Sequence, residues 1–393
     1  MGGDGGGEIA HHTPSDYTHN LSDILAIQED DMDTPLHRDP PQAGATGPLT
    51  IELHQVEASL ATAASRITLP PEIVELRRVF GEAERELKKV IVGMDELLTL
   101  TLASAFISRH VLLLGETGLA KTLLAKNIAQ VLGLKFGRTQ GTPDLMPQDI
   151  TGGIVKEGDS FVFMPGPVFT NVYMADEINR TPPKTQSALF EAMQEKQVTS
   201  GGMTHPIHGS FWVIATQNET GTLGTYPLPT AQMDRFAMRL TVPFPSKDEY
   251  LEIMRRNTNG YKYEINSVIS AEDAASQIEI FHDAVYGLSI SEPLERKCIE
   301  LICALIPGSD NCLRDAGERL KPQPLVRALD DMVVLDKVLA ALDGRMTVSE
   351  EDIKRVAIPC LSHRLCVKSA REAAGVSLDS LVEQAIAQTF PSD

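Results

Sequence analysis

The sequence lacks several features that would assign it to large classes of protein. No apolar run approaches the roughly 18 residues that a membrane span requires. Aromatic residues make up only 5% of the chain, and its five cysteines form no C-x-x-C pair. We therefore expect no membrane span and no disulfide or metal framework, but reduced thiols in a cytoplasmic protein.

Positive charge is also scarce. The formal net charge is −19, and residues 1–70 hold eleven acidic side chains, two arginines and no lysine. Because the chain has neither a basic stripe nor stacking aromatics, we do not expect nucleic acid or an anionic membrane as a partner. The Asn-Lys-x-Asp sequence that reads guanine is absent, which argues against a GTPase.

The first 70 residues differ in composition from the rest of the chain. Residues 1–70 are rich in Gly, Pro, Asp and His, so they cannot bury enough apolar surface to offset the entropy of ordering. We predict a mostly disordered acidic tail. Within it, residues 21–33 place several apolar side chains on one helical face before an acidic run. A short docking segment and a tail that contacts nothing both remain open.

The remaining chain divides into two patterns. Strand-like runs alternate with helical ones as far as residue 245, which favours a parallel α/β sheet. Ser246 and Glu249 then form a capping box, and helical periodicity continues to the end. We predict an α/β core over 71–245 and an all-helical domain over 246–393. The predicted strands are 110–114, 160–163, 171–175, 211–216 and 237–242, and further helix starts are Ser291–Pro293 and Ser349 with Asp352.

The segment "GETGLAKT" is a near match to a phosphate-binding loop. The pattern asks for Gly, four residues, Gly, Lys and then Ser or Thr, and here Ala120 replaces the second glycine. Lys121 would reach the β and γ phosphates and the Thr122 hydroxyl would bind Mg²⁺, while the backbone of the loop cradles the phosphates. We expect right-handed geometry at Ala120, which tolerates its methyl group. A nucleotide site and an ordinary strand–turn–helix both fit this segment alone. The other loop residues are Gly115, Glu116, Thr117, Gly118 and Leu119.

Acidic and amide side chains follow two apolar strands. Asp176 and Glu177 end the first strand, where one carboxylate can hold Mg²⁺ and the next can act as general base on water. Alone, an Asp-Glu pair is equally typical of a helix start. Asn218 follows the second strand and could contact the γ-phosphate or the attacking water, or could simply cap the strand. Arg235 could be an arginine finger for a neighbouring subunit or half of a surface pair with Asp234.

Several long motifs together resemble the MoxR family of AAA+ ATPases. They are "GETGLAKT", "ADEINRTPPKTQSALFEAMQE", "FWVIATQN", "GTYPLPTAQMDRF" and "CLSHRL", within a resemblance that covers about residues 85–390. The resemblance implies an AAA+ P-loop core with helices on both faces of a parallel sheet, a hairpin inserted in helix 2, and a C-terminal helical lid. It also implies a ring, usually a hexamer, with ATP and Mg²⁺ bound between subunits. The family's loop has Leu-Ala before Lys-Thr, as here.

The resemblance also assigns roles by position. It implies that Asn218 is the sensor-1 residue, that Arg235 is the finger, and that Arg327 is the sensor-2 arginine, although "LVR" stands where Ser-Pro-Arg is usual. Residues 91–93, which include Val92 and Gly93, match the segment that lines the adenine pocket. The hairpin segment "DITGGIVKEGDSFVFMPGP" would face the pore or a partner, with its two glycines suited to flexing.

For function, the resemblance implies an ATP-hydrolysing, chaperone-like remodeller whose client carries a von Willebrand A domain. Two other classes remain open. One is a nucleotide-regulated scaffold that barely hydrolyses ATP, which the complete set of Glu177, Asn218 and Arg235 disfavours. The other is a DNA-translocating motor, because related clades with this hairpin include helicase-like proteins, but the net charge of −19 argues against it.

Overall fold

The structure is a computed structural model that describes residues 69–218, 224–260, 263–369 and 377–391. The predicted docking segment at 21–33, and the acidic tail up to residue 68, lie outside the described residues. The separation of a core from a helical domain near residue 246 stays a prediction. No helix in the described ranges is long and apolar enough to cross a bilayer.

The described part of the chain alternates helices and strands and then becomes helical. Two 3₁₀ turns, Ile178–Arg180 and Ser362–Arg364, accompany the regular elements. In chain order the regular elements are α1 (Pro71–Lys88), α2 (Asp95–Phe106), β1 (Val111–Leu114), α3 (Lys121–Val131), β2 (Phe136–Gln140), α4 (Pro147–Thr151), β3 (Gly152–Glu157), β4 (Ser160–Pro165), β5 (Val172–Asp176), α5 (Pro183–Glu195), β6 (Gln197–Ser200), β7 (Met203–Pro206), β8 (Trp212–Gln217), α6 (Thr230–Met233), β9 (Met238–Thr241), α7 (Lys247–Thr258), α8 (Ala274–Tyr286), α9 (Glu292–Ala304), α10 (Arg314–Arg319), α11 (Val326–Leu342), α12 (Glu350–Leu361) and α13 (Leu378–Thr389).

Five strands form one parallel sheet in the order β2–β5–β8–β1–β9. Every residue of β5 is buried, as expected for a parallel strand that is covered on both faces. Leu114 at the end of β1 pairs with Gln217 at the end of β8, and β5 lies on the other side of β8. The carboxyl ends of β1, β8 and β5 therefore meet at one edge of the sheet, where the predicted site residues follow them.

Helices cover both faces of this sheet. One apolar cluster joins side chains from α1, α2, α3, α8 and α11 to β1, β8 and β9, so the C-terminal helices pack directly on the sheet. A second cluster on the other face includes Tyr173, Phe190 and Phe236. The prediction of an α/β sheet with helices on both faces and a helical C-terminal part is confirmed.

Two antiparallel hairpins, β3–β4 and β6–β7, lie outside the sheet. The predicted strand at 160–163 belongs to the first hairpin and not to the parallel sheet. The sequence could not show this, because an apolar run does not reveal which strand it pairs with. A role of the two glycines in flexing stays a prediction, but Gly152 also meets a steric requirement. Its φ is +79°, and an added Cβ would lie 2.1 Å from the carbonyl oxygen of Met164. The glycine allows the two backbones to approach.

Local end signals in the sequence are largely confirmed. The Ser246 hydroxyl accepts from the Glu249 backbone at 3.3 Å, while the Glu249 carboxylate accepts from the Ser246 backbone at 2.6 Å, which is the predicted capping box of α7. Ser349 and Asp352 form the same box at α12. Strand β2 was missed because "FGRTQ" carries little apolar signal and no residue of it is buried.

Candidate nucleotide-binding site

A tight loop connects β1 to α3 at the carboxyl edge of the sheet. Gly115 has φ +152° and Gly118 has φ +92°, backbone conformations that side chains disfavour. An added Cβ on Gly115 would also lie 3.1 Å from the Val242 side chain. The loop opens directly into α3, so backbone N–H groups and the positive end of the helix dipole face the same space. This geometry suits a phosphate group.

Ala120 occupies the position where the loop pattern asks for glycine. Its φ and ψ are 56° and 17°, in the left-handed region. The expected right-handed geometry is therefore wrong. A left-handed conformation costs an alanine about 1–2 kcal/mol, which explains why glycine suits the position and makes the alanine a tolerated strain.

Lys121 and Asn218 connect the loop to the neighbouring strands. Lys121 is 7% exposed, and its Nζ donates to the Glu116 carbonyl oxygen at 3.1 Å and to Asn218 Oδ1 at 3.0 Å. Asn218 Nδ2 donates to Thr117 Oγ1 and to Glu177 Oε1, both at 3.2 Å. Asn218 thus joins the lysine, the loop and the candidate base in one network, which a residue that only caps a strand would not do.

Asp176 receives hydrogen bonds from three sides. Thr122 Oγ1 donates to Oδ2 at 3.0 Å, Thr216 Oγ1 donates to Oδ1 at 2.6 Å, and Arg138 Nη2 donates to Oδ2 at 2.7 Å. Burial alone would raise the pKa of Asp176, but these donors hold the pKa below its ordinary value. The carboxylate is therefore ionised at neutral pH beside a threonine hydroxyl, and hard oxygen donors of this kind are what Mg²⁺ prefers.

Glu177 has a strained backbone at the end of β5. Its φ and ψ are 53° and 52°, a left-handed conformation that is rare for a non-glycine residue. The Glu177 N–H donates to Thr216 Oγ1 at 2.8 Å, and Oε2 accepts from Arg180 at 3.0 Å. Such strain persists only where the surroundings over-determine it, and it often marks a functional position. Thr216 holds Asp176 and Glu177 together.

Two arginines of this site were missed at the sequence level. Arg138 on β2 binds Asp176, and Arg180 binds Glu177. Arg180 lies three residues after Glu177, so its spacing within a short helical turn was an available signal. Arg138 lies 38 residues before Asp176, and only the pairing of β2 with β5 brings them together.

The predicted adenine segment lies beside the start of α7. Gly93 has φ +69°, and an added Cβ would lie 1.8 Å from Glu249 Oε1, so the glycine makes room for this carboxylate. Ile91 is buried and Val92 is half-buried. The chain from Val242 to Glu249 thus contacts both Gly115 of the loop and Gly93. Binding of adenine by Val92 and Gly93 stays a prediction.

Arg235 lies at the opposite edge of the sheet. It precedes β9 and lines a cleft of about 680 Å³ together with His110, Ser210 and Ala237, which stand at the amino ends of β1, β8 and β9. A strand of four residues spans about 13 Å, so Arg235 does not meet the phosphate loop of its own chain. Its Nη1 donates to the Ala231 carbonyl oxygen at 2.9 Å.

The environment of Arg235 is not that of a surface ion pair. Its Nε is buried with no hydrogen-bond partner in the described part of the chain. Asp234 pairs with Arg364 at 3.0 Å and with Arg327 at 3.3 Å. Burial, and next the charge of Arg327, lower the pKa of Arg235. Contact with an anion would therefore stabilise the charged form of Arg235.

Arg327 lies in the same cleft. It is the second residue of α11, and its Nη1 donates to Asp234 Oδ2 at 3.3 Å. The structure therefore does not bring Arg327 to the phosphate loop of its own chain, although the resemblance placed it among the nucleotide-binding residues. Arg235 and Arg327 instead share one face of the molecule.

Comparisons with known proteins agree with this geometry. Residues 110–238 match the model of the ATPase family associated with various cellular activities (AAA), and residues 326–385 match the AAA lid domain. Chaperone MoxR1 of Mycobacterium tuberculosis is 35% identical over 84% of this chain and 80% of its own length. The chain belongs to the MoxR family of AAA+ ATPases.

Further relatives support this MoxR assignment. Protein MoxR of Paracoccus denitrificans is 28% identical over 79% of this chain and 96% of its own length. The uncharacterized protein YeaC of Bacillus subtilis is 32% identical over 79% of this chain and 94% of its own length. A crystal structure of a Cytophaga hutchinsonii protein, provisionally named an ATPase, is 35% identical with a TM-score of 0.74 and covers 86% of this chain and 98% of that one.

The MoxR assignment places the candidate residues in two matched segments. The phosphate loop, Asp176, Glu177, Asn218 and Arg235 fall within the AAA match at 110–238, and Arg327 falls within the lid match.

A second kind of relative covers less of the chain. The Holliday junction branch migration complex subunit RuvB of Lacticaseibacillus casei is 30% identical over 40% of this chain and 44% of its own.

Proposed function

We propose that this MoxR protein binds ATP with Mg²⁺ and hydrolyses it between neighbouring copies, and that turnover remodels a partner protein in the cytoplasm. The observation that carries the proposal is the separation of two half-sites. Lys121, Asp176, Glu177 and Asn218 meet at the carboxyl edge of the sheet, while Arg235 lies at the amino edge. One chain therefore supplies the nucleotide-holding groups, and a second chain supplies the finger.

Each residue at the carboxyl edge has a chemical role. The backbone of residues 115–120 binds the phosphates, and Lys121 Nζ, which here binds loop carbonyl oxygens, is placed to bind phosphate oxygens instead. Thr122 and Asp176 would hold Mg²⁺, which neutralises phosphate charge when it is bound. Glu177 takes a proton from the attacking water, and the Asn218 amide orients that water or the γ-phosphate.

The placement of Arg235 favours a head-to-tail assembly. Because the finger and the phosphate loop lie at opposite edges, each copy uses different surfaces toward its two neighbours, and such contacts close into a ring when the rotation permits. We propose a ring of six, the usual number in this family. Arg327 would then reach the neighbour's nucleotide together with Arg235, as a second positive charge in trans.

The partner protein is proposed from the relatives and from one surface. A relative named chaperone MoxR1 covers most of this chain, so we propose a chaperone-like role, with a von Willebrand A domain protein as the client. The β3–β4 hairpin exposes a row of apolar side chains that a client could contact. They include Ile154, Val155, Phe161, Val162 and Met164, with Phe161 74% exposed.

Glu177→Gln tests the assigned base. The amide cannot accept the proton from water, so we expect phosphate release to fall about 10²- to 10⁴-fold, while the affinity for ATP stays within about threefold because the phosphate contacts remain. Phosphate release and equilibrium binding of a fluorescent ATP analogue measure the two quantities. Glu191→Gln, an exposed change on α5, is the matched control and should hydrolyse ATP as the parent does.

A variant Glu177→Gln that turns over ATP at the parental rate would exclude this residue as the base. The scaffold hypothesis requires a different measurement, namely phosphate release at a series of protein concentrations. A finger supplied in trans requires specific activity to rise as copies assemble. Equal specific activity for the isolated chain and the assembled form would contradict the proposal.

A further inference from the structure

Arg364 is a buried arginine outside the nucleotide site. It ends the 3₁₀ turn that follows α12, and its side chain is 1% exposed. An arginine is almost never fully buried unless its charge is paired and its N–H groups are bonded. The partners of Arg364 therefore indicate what the position requires.

Most of the partners of Arg364 belong to the chain segment that carries Arg235. Nε donates to Asp234 Oδ1 at 3.0 Å, and Nη2 donates to the carbonyl oxygens of Asp234 at 3.1 Å and Phe236 at 3.0 Å. Nη1 is 3.4 Å from the carbonyl oxygen of Ala237. The bonds thus fall on both sides of Arg235, and we call residues 234–237 the finger segment.

The same arginine is anchored in the C-terminal helices. Nη1 donates to the Cys360 carbonyl oxygen on α12 at 2.9 Å, and Nη2 pairs with the carboxylate of Asp331 on α11. The adjacent His363 Nε2 lies 2.9 Å from the Phe236 carbonyl oxygen. One buried cation therefore ties the finger segment to both α11 and α12.

The finger segment has little regular structure of its own. Helix α6 before it has four residues, and β9 begins only at Met238. The Arg235 side chain donates back to the carbonyl oxygen of Ala231, in α6 itself. Asp234, which binds Arg364, also binds Arg327. Contacts from Arg364 therefore hold the backbone on both sides of Arg235, and they hold the Asp234 carboxylate that binds Arg327.

We propose that Arg364 is a positioning residue, which fixes Arg235 and Arg327 for action on the nucleotide of the neighbouring copy. The proposal rests on the proposed function in trans. It adds that movement of α11 and α12 in one copy is transmitted through Arg364 to the finger that serves the next copy. A displacement of about 1 Å at a reacting centre can lower a rate about 100-fold.

Arg364→Lys tests the proposal because it keeps the charge and loses the planar, multiply bonded head group. We expect kcat for ATP hydrolysis to fall about 10- to 100-fold, with the affinity of the variant's own site for ATP within about threefold, since that site lies at the other edge of the sheet. Arg345→Lys is the matched control. Arg345 pairs with Asp343 and Asp352 and donates to the Thr347 carbonyl oxygen. These partners lie outside the finger segment, so kcat should stay near the parental value.

Mixed assemblies distinguish a positioning role from a general structural one. Copies with Arg364→Lys have an intact Glu177, and copies with Glu177→Gln have an intact finger. Co-assembly of the two variants should therefore restore phosphate release above the sum of the separate preparations. Equal rates in the mixture and the sum would overturn the proposal, because Arg364 would then act on its own site or on folding alone.

The pair Arg235→Ala with Glu177→Gln separates this proposal from the proposed function. A gain in that mixture, without one in the Arg364→Lys mixture, leaves the finger in trans standing and overturns the positioning role. If neither mixture gains, the finger in trans is itself wrong, and the positioning role falls with it. If Arg364→Lys does not fold, Asp234→Ala decides, because this side chain is partly exposed. The same restoration is expected for it, and parental kcat in Asp234→Ala would overturn the proposal.

Discussion

Two non-glycine residues of the nucleotide site have left-handed backbones. Ala120 has φ 56° at the entrance of α3, and Glu177 has φ 53° after β5. The conformation of Glu177 is fixed by its N–H bond to Thr216 and by its carboxylate partners. Ala120 gains nothing comparable from its methyl group, so at this residue the backbone strain should be removable.

Ala120→Gly should stabilise the protein. Glycine adopts a positive φ without steric cost, so we expect the free energy of unfolding to rise by about 0.5–1 kcal/mol, with ATP affinity unchanged. Urea denaturation measures the first quantity. Ala125→Gly, the same chemical change within α3, is the control and should cost about 1 kcal/mol or more. A loss of the same size in Ala120→Gly would show that the left-handed assignment is wrong.

Asp336 on α11 is the most isolated carboxyl group in the described part of the chain. It is 0% exposed, and neither carboxyl oxygen has a hydrogen-bond partner among the described residues. Burial, and next the charge of Asp352, raise the pKa of Asp336 well above its ordinary value. The folded chain therefore keeps this proton to a higher pH than the unfolded chain does, so the stability that the group contributes at low pH is lost as the pH rises above about 4.

Asp336→Asn should remove this pH-dependent cost. We expect the variant to be more stable than the parent at pH 7, by roughly 1–3 kcal/mol, with the difference shrinking toward pH 4 because the unfolded parental group then takes up its proton. Urea denaturation at pH 7 and pH 4.5 compares the two. A variant that is less stable than the parent at pH 7 would mean that Asp336 is ionised and paired.

At the scale of elements, the contact between β5 and β8 organises the acidic part of the site. Thr216 on β8 donates to Asp176 at 2.6 Å and accepts from the Glu177 backbone at 2.8 Å, and it is fully buried. One hydroxyl therefore binds both the Asp176 carboxylate and the Glu177 N–H group at the end of β5. The alignment of the metal-holding carboxylate with the base depends on this pairing of strands.

Thr216→Val keeps the shape of the side chain and removes both bonds. We expect the free energy of unfolding to fall by about 1–3 kcal/mol, because the Glu177 N–H loses its partner in a buried place. Without the hydroxyl donor, the pKa of Asp176 should rise and the apparent affinity for Mg²⁺ should fall. Denaturation and a Mg²⁺ titration of ATPase activity measure these changes. Thr199→Val on the exposed β6–β7 hairpin serves as control, and an equal effect there would contradict the role of Thr216.

At the scale of the whole molecule, the half-buried His110 and the buried His363 make the fold sensitive to acid. Burial lowers the pKa of His110 to about 4 and that of His363 to about 3. Both fall below the ordinary value, so the unfolded chain binds protons first as the pH falls. Stability that is present at pH 7 is therefore lost below about pH 6.5, by up to about 1.4 kcal/mol per pH unit for each group.

The free energy of unfolding should consequently decrease between pH 6.5 and pH 5. Asp336 acts in the opposite sense over this interval, so the decrease should be steeper in the Asp336→Asn background. His363→Gln should show a shallower decrease, because one of the two groups no longer titrates. Urea denaturation at half-unit steps of pH measures all three slopes. A stability that does not change from pH 6.5 to pH 5 in the Asp336→Asn background would refute the lowered pKa values of His110 and His363.

The sequence by itself determined what depends on neighbouring residues. The spacing of Gly115, Lys121 and Thr122, the acidic end of β5 and the capping boxes of α7 and α12 are local patterns, and each lies where it was expected. Their physical basis is the geometry of one turn or one strand end, which a few consecutive residues specify.

Only the tertiary structure decided what depends on distant residues. Arg235 lies at the edge opposite the phosphate loop because β9 runs parallel to β1, and packing of α11 brings Arg327 into the same cleft. Arg364 meets Asp234 across 130 positions of the chain, and Arg138 meets Asp176 across 38. No periodicity encodes such pairs, because they form only when packing of the sheet and helices brings the segments together.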